Sequence, residues 1–267
     1  GTQARQTEID AKASLRGTLA RHDIDATLAA AHQGRRFETV IATRGALAMQ
    51  GTTPTQWLAH SDAVRVLEQP ASSAAQSTWL RIEPLSWRWQ RQGADGVWTI
   101  EPGRASVADV PVAWSRIVLG ATDAPAVTGT LGPARVSELA GRFGRDDVHG
   151  DLRLGGRFTL RLAGTPAGEL TLERTDGDVR SGPEEEAPSA GLRQLQFTLS
   201  RSSSAWRANL VVDGDRVGRS TVELEATPAA GTWLPSPETP IGGQLRLDVR
   251  NMASWNGLMP TAWRLGG

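Results

Sequence analysis

Residues 150–179 read GDLRLGGRFTLRLAGTPAGELTLERTDGDV, and this stretch decides the fold class. Leucine or phenylalanine takes alternate positions, with arginine or threonine between them. Because successive side chains of a strand point to opposite faces, each run has one apolar face and one polar face. The TPAG sequence at 165–168 separates two such runs and is typical of a turn. The stretch therefore predicts two neighbouring antiparallel strands.

The same alternation recurs along most of the chain. Downstream it continues through 195–199, 206–212, 222–226 and 245–249, and weaker runs lie upstream of residue 101. Asp-Gly pairs, which supply the positive φ angles of tight hairpins, are found at 95–96, 176–177 and 213–214. We expect roughly 14 to 16 strands and an all-β fold. A sheet of so many strands usually curls, closes or splits.

Two segments depart from this alternation. The spacing of Val136, Leu139, Ala140 and Phe143 predicts a short helix over 135–143. A second helical turn is predicted over 252–259, before Pro260.

Loops and an internal repeat divide the chain further. The acidic segment 182–191 and the proline-rich segment 227–240 are typical of solvated connections. A strand–helix–strand order that begins at Gly129 recurs from Gly243. We therefore divide the chain into segments 1–128 and 129–267.

Composition excludes several classes of function. The 267 residues carry 29 basic and 29 acidic side chains, and this zero net charge argues against a nucleic-acid binder. Lys12 is the single lysine, which excludes P-loop chemistry and argues against a Schiff-base enzyme. There is no cysteine, and no apolar run approaches the roughly 18 residues of a membrane-spanning helix. Since the chain begins at Gly1, we interpret it as part of a longer protein.

No catalytic or metal-binding motif is found, so we expect neither an enzyme nor a cofactor. His22, His32, His60 and His149 form no zinc motif. A calcium loop starting at Asp176 would need a glutamate at its twelfth position, where Ala187 stands. A nucleophilic-serine elbow is also missing. Paired carboxylates of a carbohydrate-active enzyme remain an alternative that sequence spacing does not test.

Ten tryptophans are many for this length, and Trp79, Trp87, Trp89 and Trp98 lie close together in the sequence. They fit either a surface that stacks on sugars or lipids, or the packing of a wide β core. We favour packing, because Trp87 and Trp89 share a face opposite Arg88.

The apolar face of the strands is open to two interpretations, a closed sandwich core or an open groove. A groove would be lined by alternate residues of successive strands. These are Leu152, Leu154, Phe158, Leu160, Leu162, Leu170, Leu172, Leu195, Phe197, Leu199, Leu210, Val212, Val222, Leu224, Leu245 and Leu247.

The C-terminal half resembles the TamB family of Gram-negative envelope proteins, which are related to AsmA-like proteins. The resemblance is carried by the strand–turn–strand unit of 150–179, which ends in an Arg-x-x-Gly-Asp corner at Arg174, Gly177 and Asp178, and by the strands of 192–226. It extends to 240–265, which read PIGGQLRLDVRNMASWNGLMPTAWRL, and, less specifically, to the stretch from Leu15 to His22.

This resemblance implies a periplasmic antiparallel sheet curled into a taco-like half-pipe with one or two short helices. Its groove would shield phospholipid acyl chains during transport between the inner and outer membranes. The full-length protein would be anchored in the inner membrane, and a TamA-like outer-membrane barrel of the Omp85 type would bind parts of the chain outside this sequence. An alternative is a scaffold that assembles outer-membrane barrels or autotransporters by β-augmentation. A weaker alternative is a lectin-like protein that uses the tryptophans.

Overall fold

The computed structural model confirms the all-β class with antiparallel strand pairing. The structure describes residues 8–32, 35–70, 76–93, 95–121, 125–142, 145, 148–163, 166–181, 189–202, 204–228, 235–236 and 238–249. The chain divides into two compact units, Gly1–Gly129 and Thr130–Gly267.

The first unit contains ten strands, several of them long. They are β1 (Glu8–Thr18), β2 (Arg21–His32), β3 (Arg35–Gln50), β4 (Thr53–Pro70), β5 (Ser77–Ile82), β6 (Leu85–Gln92), β7 (Asp95–Ile100), β8 (Gly103–Val107), β9 (Val110–Trp114) and β10 (Ile117–Leu119). β11 (Val127–Arg135) crosses the boundary between the two units.

The sheet of the first unit branches at β4. Strands β1 to β4 form a meander in which each pairs with the next. The other edge of β4 pairs with two strands, with β6 along 56–61 and with β5 along 64–68. The β5 branch continues to β8 and β9, and the β6 branch continues to β7 and β10. The 18 residues of β4 make this branching possible, because β5 and β6 each pair with less than half of the length of β4.

The second unit contains one helix and eight further strands. They are α1 (Val136–Arg142), β12 (Val148–Gly150), β13 (Arg153–Arg161), β14 (Ala167–Asp176), β15 (Val179–Ser181), β16 (Leu192–Ser202), β17 (Ala205–Gly214), β18 (Gly218–Ala226) and β19 (Ile241–Asp248). The main sheet pairs β13, β14, β16, β17, β18 and β19 in that order, and β12 pairs with β15. The described residues thus hold nineteen strands, more than we predicted, partly because three of them have only three residues.

The Asp-Gly pairs do not form the tight turns that the sequence predicts. Gly96 lies inside β7 opposite Arg91, while the turn before it begins at Gly93, whose φ is 63°. Gly214 ends β17 and pairs with Gly218, whose φ of 67° follows the turn at 215–217. Gly177 lies between β14 and β15, which do not pair with each other in the described part of the chain. In a hairpin, register and loop length are fixed together, so the alignment of the two strands decides which residues occupy the turn.

The predicted helix over 135–143 is confirmed as α1, and the second predicted turn over 252–259 lies outside the described residues. Glu138 in the first turn and Arg142 in the last complement the helix dipole. The backbone N–H of Val136 donates to the Leu152 carbonyl at 2.9 Å, which ties the helix to the start of β13. Among the described residues, no helix has the length and apolar character needed to cross a membrane.

Candidate functional site: an apolar sheet face

The register of the second unit places most of the predicted groove residues on one face of the main sheet. Directly paired residues of antiparallel strands have their side chains on the same face. One row crosses five strands without a polar residue, and its members are Leu172, Phe197, Leu210, Val222 and Leu245. The next row contains Phe158, Leu170, Leu199, Ala208 and Leu224. The alternation seen in the sequence is therefore continuous in space from strand to strand.

Exposure along this face is uneven. At one end, Leu152 and Val212 are 3% and 8% exposed, and they belong to a buried cluster with Ala190, Leu192 and Val217. At the other end, Leu160, Leu224 and Leu245 are 37%, 42% and 61% exposed. The apolar face is therefore closed around Leu152 and Val212, which we call the closed end, and it is open toward Leu160 and Leu224 and along the whole of β19, which we call the open end.

The other predicted groove residues follow this division. Leu154, Leu195 and Leu210 are partly buried and pack against the buried cluster of the closed end. Leu162 lies just beyond β13 and is 43% exposed, and Leu247 on β19 is 40% exposed. Leu152 lies just before β13 and is buried, so it belongs to the closed end and not to the accessible surface.

An apolar cavity of about 340 Å³ opens on the exposed part of this face. Its walls include Leu199, Trp206, Leu224 and Ile241 from the sheet, and Pro235 from the segment before β19. Our sequence analysis did not place Trp206, Pro235 or Ile241 in the groove. Alternation along the strand could have placed both Trp206 and Ile241 on the apolar face. Trp206 lies two residues before Ala208 of the second row, and Ile241 lies two residues before Gly243, which pairs with Leu224.

The closed end is held by the corner at Arg174, Gly177 and Asp178. The Asp178 carboxylate accepts backbone N–H groups of Val179 at 2.8 Å, Gly191 at 2.7 Å and Leu192 at 3.2 Å, and also the hydroxyl of Ser189. Arg174 Nε donates to the Gly177 carbonyl at 2.8 Å. One carboxylate thus connects β15 to residues 189–192, which lead into β16 and carry Ala190 and Leu192 of the buried cluster.

The hydrogen bonds of this corner determine its ionisation. Burial opposes the charged form of Asp178, but the hydrogen bonds from Ser189, Val179, Leu192 and Gly191 outweigh burial and hold its pKa below the usual range. The exposed Asp151 accepts the Asp178 backbone N–H at 2.9 Å, and this bond is the main reason that the pKa of Asp151 is also lowered. Both carboxylates therefore stay ionised at neutral pH and serve as structural acceptors.

The opposite face of the same sheet is polar. Arg157 lies 3.8 Å from Glu173, and Arg207 lies 3.2 Å from Glu225, each pair on neighbouring strands and exposed. Exposed pairs of this kind contribute little stability. They keep this face hydrated, which leaves the apolar face as the only large apolar surface of the main sheet within the described residues.

The first unit carries an apolar row of its own. It crosses the four strands of the meander and the three of the β5 branch, and its members are Ala13, Ala26, Ile41, Val64, Ile82, Ala105 and Val112. Our sequence analysis placed no groove residue in this unit, because alanine gives a weaker alternation signal than leucine.

Three tryptophans of the first unit pack on one another. The rings of Trp57 and Trp87 are 4.6 Å apart and edge-to-face, and those of Trp87 and Trp98 are stacked at 5.4 Å. Trp57 Nε1 donates to Nε2 of the buried His22 at 3.0 Å. This mutual contact favours the packing interpretation over a sugar-stacking surface. The sequence cluster differs from the spatial one, since Trp57 was missed and Trp79 is 40% exposed.

No group of three or more histidine, aspartate or glutamate side chains able to hold a metal ion occurs in the described part of the chain. His22 bonds to Trp57, and His60 Nδ1 lies 3.0 Å from the Ser86 hydroxyl. Comparisons of this chain with protein-family models, with curated proteins and with solved structures find no match.

Proposed function

We propose that this chain is a non-enzymatic segment of a lipid conduit, in which a sheet curled into a half-pipe shields the acyl chains of phospholipids. The observation that carries the proposal is the uninterrupted apolar row across β14, β16, β17, β18 and β19, which ends at the exposed Leu245. Soluble proteins rarely leave a contiguous apolar surface uncovered unless it binds something.

The chemistry of an acyl chain matches this surface. Each methylene transferred from water to an apolar environment gains about 0.8 kcal/mol, so a lipid moving through water would lose that gain along its whole length. A continuous row of leucine, phenylalanine and valine lowers this free-energy cost of exposing an acyl chain to water, and it needs no fixed hydrogen-bond geometry to do so. The open cavity between Trp206, Leu224 and Ile241 provides an apolar surface along which one chain can lie.

Location and partners rest on the resemblance to the TamB family. We propose that the chain functions in the periplasm of a Gram-negative bacterium, between an inner-membrane anchor and a TamA-like outer-membrane barrel. Phospholipid would be its cargo. Neither a cofactor nor a nucleic acid has a role in this proposal.

Photocrosslinking at two adjacent positions of β19 tests the proposal. Leu245 belongs to the apolar row, whereas Gln244 pairs with Glu223 on the polar face, and both are exposed. A photoreactive residue at 245 should crosslink phospholipid in bacterial cells, and one at 244 should not. Native mass spectrometry of the purified protein should show co-purified phospholipid. Equal crosslinking at both positions, or protein without lipid, would contradict the conduit.

The exposure of β19 supports a second candidate, a scaffold for β-barrel assembly. All eight residues of this strand are exposed, so an incoming strand could reach its backbone. In that case, crosslinks from position 245 would go to an outer-membrane polypeptide instead of lipid, and the two candidates are distinguished by one experiment.

A further inference from the structure

The polar face of the first unit contains a cavity of about 700 Å³ that the lipid proposal does not use. It lies on the face opposite Trp57 and Trp87, because Arg44, His60 and Ser86 alternate in register with Gly45, Ala59 and Trp87. The cavity is lined by three arginines, Arg21, Arg44 and Arg88, and by His60, Ser86 and Glu101.

The strand register places these arginines on one face of the sheet, on either side of the cavity. Arg21 begins β2 and Arg88 lies on β6, so β3 and β4 separate them by roughly 14 Å, three strand spacings. Between them the floor is made by the paired residues Ala46 and Leu58. These short or apolar side chains leave an open floor, with an arginine on the strand at either side of it.

Two acidic groups beside the cavity, Asp62 and Glu101, are already paired. Arg44 Nη2 donates to Asp62 at 2.6 Å, and Glu101 accepts two hydrogen bonds from Arg116, at 3.2 and 3.1 Å. By contrast, neither the Arg21 nor the Arg88 guanidinium forms a hydrogen bond or ion pair with any side chain that the structure describes. In the described part of the chain, the lining therefore holds two arginines with no carboxylate bonded to them, and the exposed Asp23 opposite Arg44 is the nearest further acidic group on this face.

We infer that this cavity binds a phosphate-bearing anion. Guanidinium groups match the oxygens of phosphate with parallel hydrogen bonds and keep their charge at all relevant pH values. Arg44 has further N–H donors beyond the one given to Asp62, and the Ser86 hydroxyl adds another possible donor. The same positive charge disfavours a metal cation. The site is independent of the acyl-chain proposal, since it lies in the first unit and uses none of the residues of the apolar row.

Isothermal titration with pyrophosphate, inorganic phosphate and glycerol 3-phosphate at constant ionic strength tests the inference. We expect saturable binding of pyrophosphate to the intact chain. Arg21→Gln and Arg88→Gln should each weaken it about tenfold, because each removes one charge-assisted contact. The control is Arg65→Gln, which makes the same charge change on the same face of β4 but outside the cavity.

The relative binding of the three anions distinguishes the possible sources of the phosphate. Binding of glycerol 3-phosphate in preference to inorganic phosphate would identify a lipid headgroup as the source, and binding of both would identify a general phosphate site. Melting temperatures of the variants should match that of the parent, since both arginines are exposed. Absence of pyrophosphate binding, or an equal loss in Arg65→Gln, would overturn the inference.

Discussion

The two ends of the apolar face in the second unit have the same sequence pattern and opposite environments. At the closed end, Leu152 is 3% exposed and Val212 is 8% exposed. At the open end, Leu245 is 61% exposed and Ile241 is 68% exposed. The difference comes from what covers each end, because the corner around Asp178 brings Ala190 and Leu192 over the former. An alternating pattern therefore identifies a face but does not tell whether that face is core or surface.

The largest effect should come from placing a charge at the closed end. Val217→Asp buries a carboxylate among apolar side chains, at a cost of several kcal/mol that is comparable with the whole stability of a domain. We expect this variant to unfold, as measured by circular dichroism and urea titration. Leu245→Asp, the matched change at the open end, should lose less than about 1 kcal/mol. Equal stability of the two variants would show that the ends do not differ.

A smaller effect is expected at the corner itself. Asp178→Asn keeps the shape but removes the charge that accepts several N–H groups, and should cost about 1.5–3 kcal/mol at pH 7. The free energy of unfolding by urea measures this. Asp176→Asn, at the exposed end of β14, is the control and should change it by less than about 0.5 kcal/mol.

The pH dependence of this corner has a defined sign. The pKa of Asp178 is lower in the folded protein than in the unfolded chain, so its stabilisation is present above about pH 4 and is lost as pH falls through the folded value. The stability difference between the parent and Asp178→Asn should therefore shrink on acidification below pH 4. A difference that grows on acidification would contradict this role.

Leu160→Arg tests the open end with a modest expected cost. Leu160 is 37% exposed, and an arginine there can lay its stem along neighbouring apolar atoms while its guanidinium reaches water. We expect a loss of about 1–2 kcal/mol and a folded protein in which lipid crosslinking at Leu170 decreases. Thr159→Arg on the polar face should leave both unchanged. Unfolding of Leu160→Arg would instead support a closed sandwich core, and normal lipid loading would contradict the conduit at this position.

The smallest effect is expected on the polar face. Arg207→Gln removes an exposed ion pair with Glu225 and should change the free energy of unfolding by less than about 1 kcal/mol. Lipid crosslinking at position 245 should be unaffected. A large loss of stability would show that this face is packed against another part of the protein.

The strands, their faces and the helix near 135–143 could be predicted from local pattern. Leu172, Phe197 and Leu210 were assigned to the apolar face from alternation alone, and the register pairs Phe197 with each of the other two. Turn positions were wrong at Gly96 and Gly214, because the residue that occupies a turn depends on how two strands align. The tryptophan cluster was incomplete for the same reason, since Trp57 comes close to Trp87 only through the pairing of β4 with β6.

Side-chain parity is a property of the backbone between neighbouring residues, so the amino-acid order determines which residues of a strand share a face. Exposure depends on segments that are distant in the chain. Leu152 is buried because residues 190, 192 and 217 reach it, whereas Leu245 lies on a strand with all eight residues exposed. Folding in three dimensions thus decided which part of one continuous apolar pattern became core and which part stayed exposed.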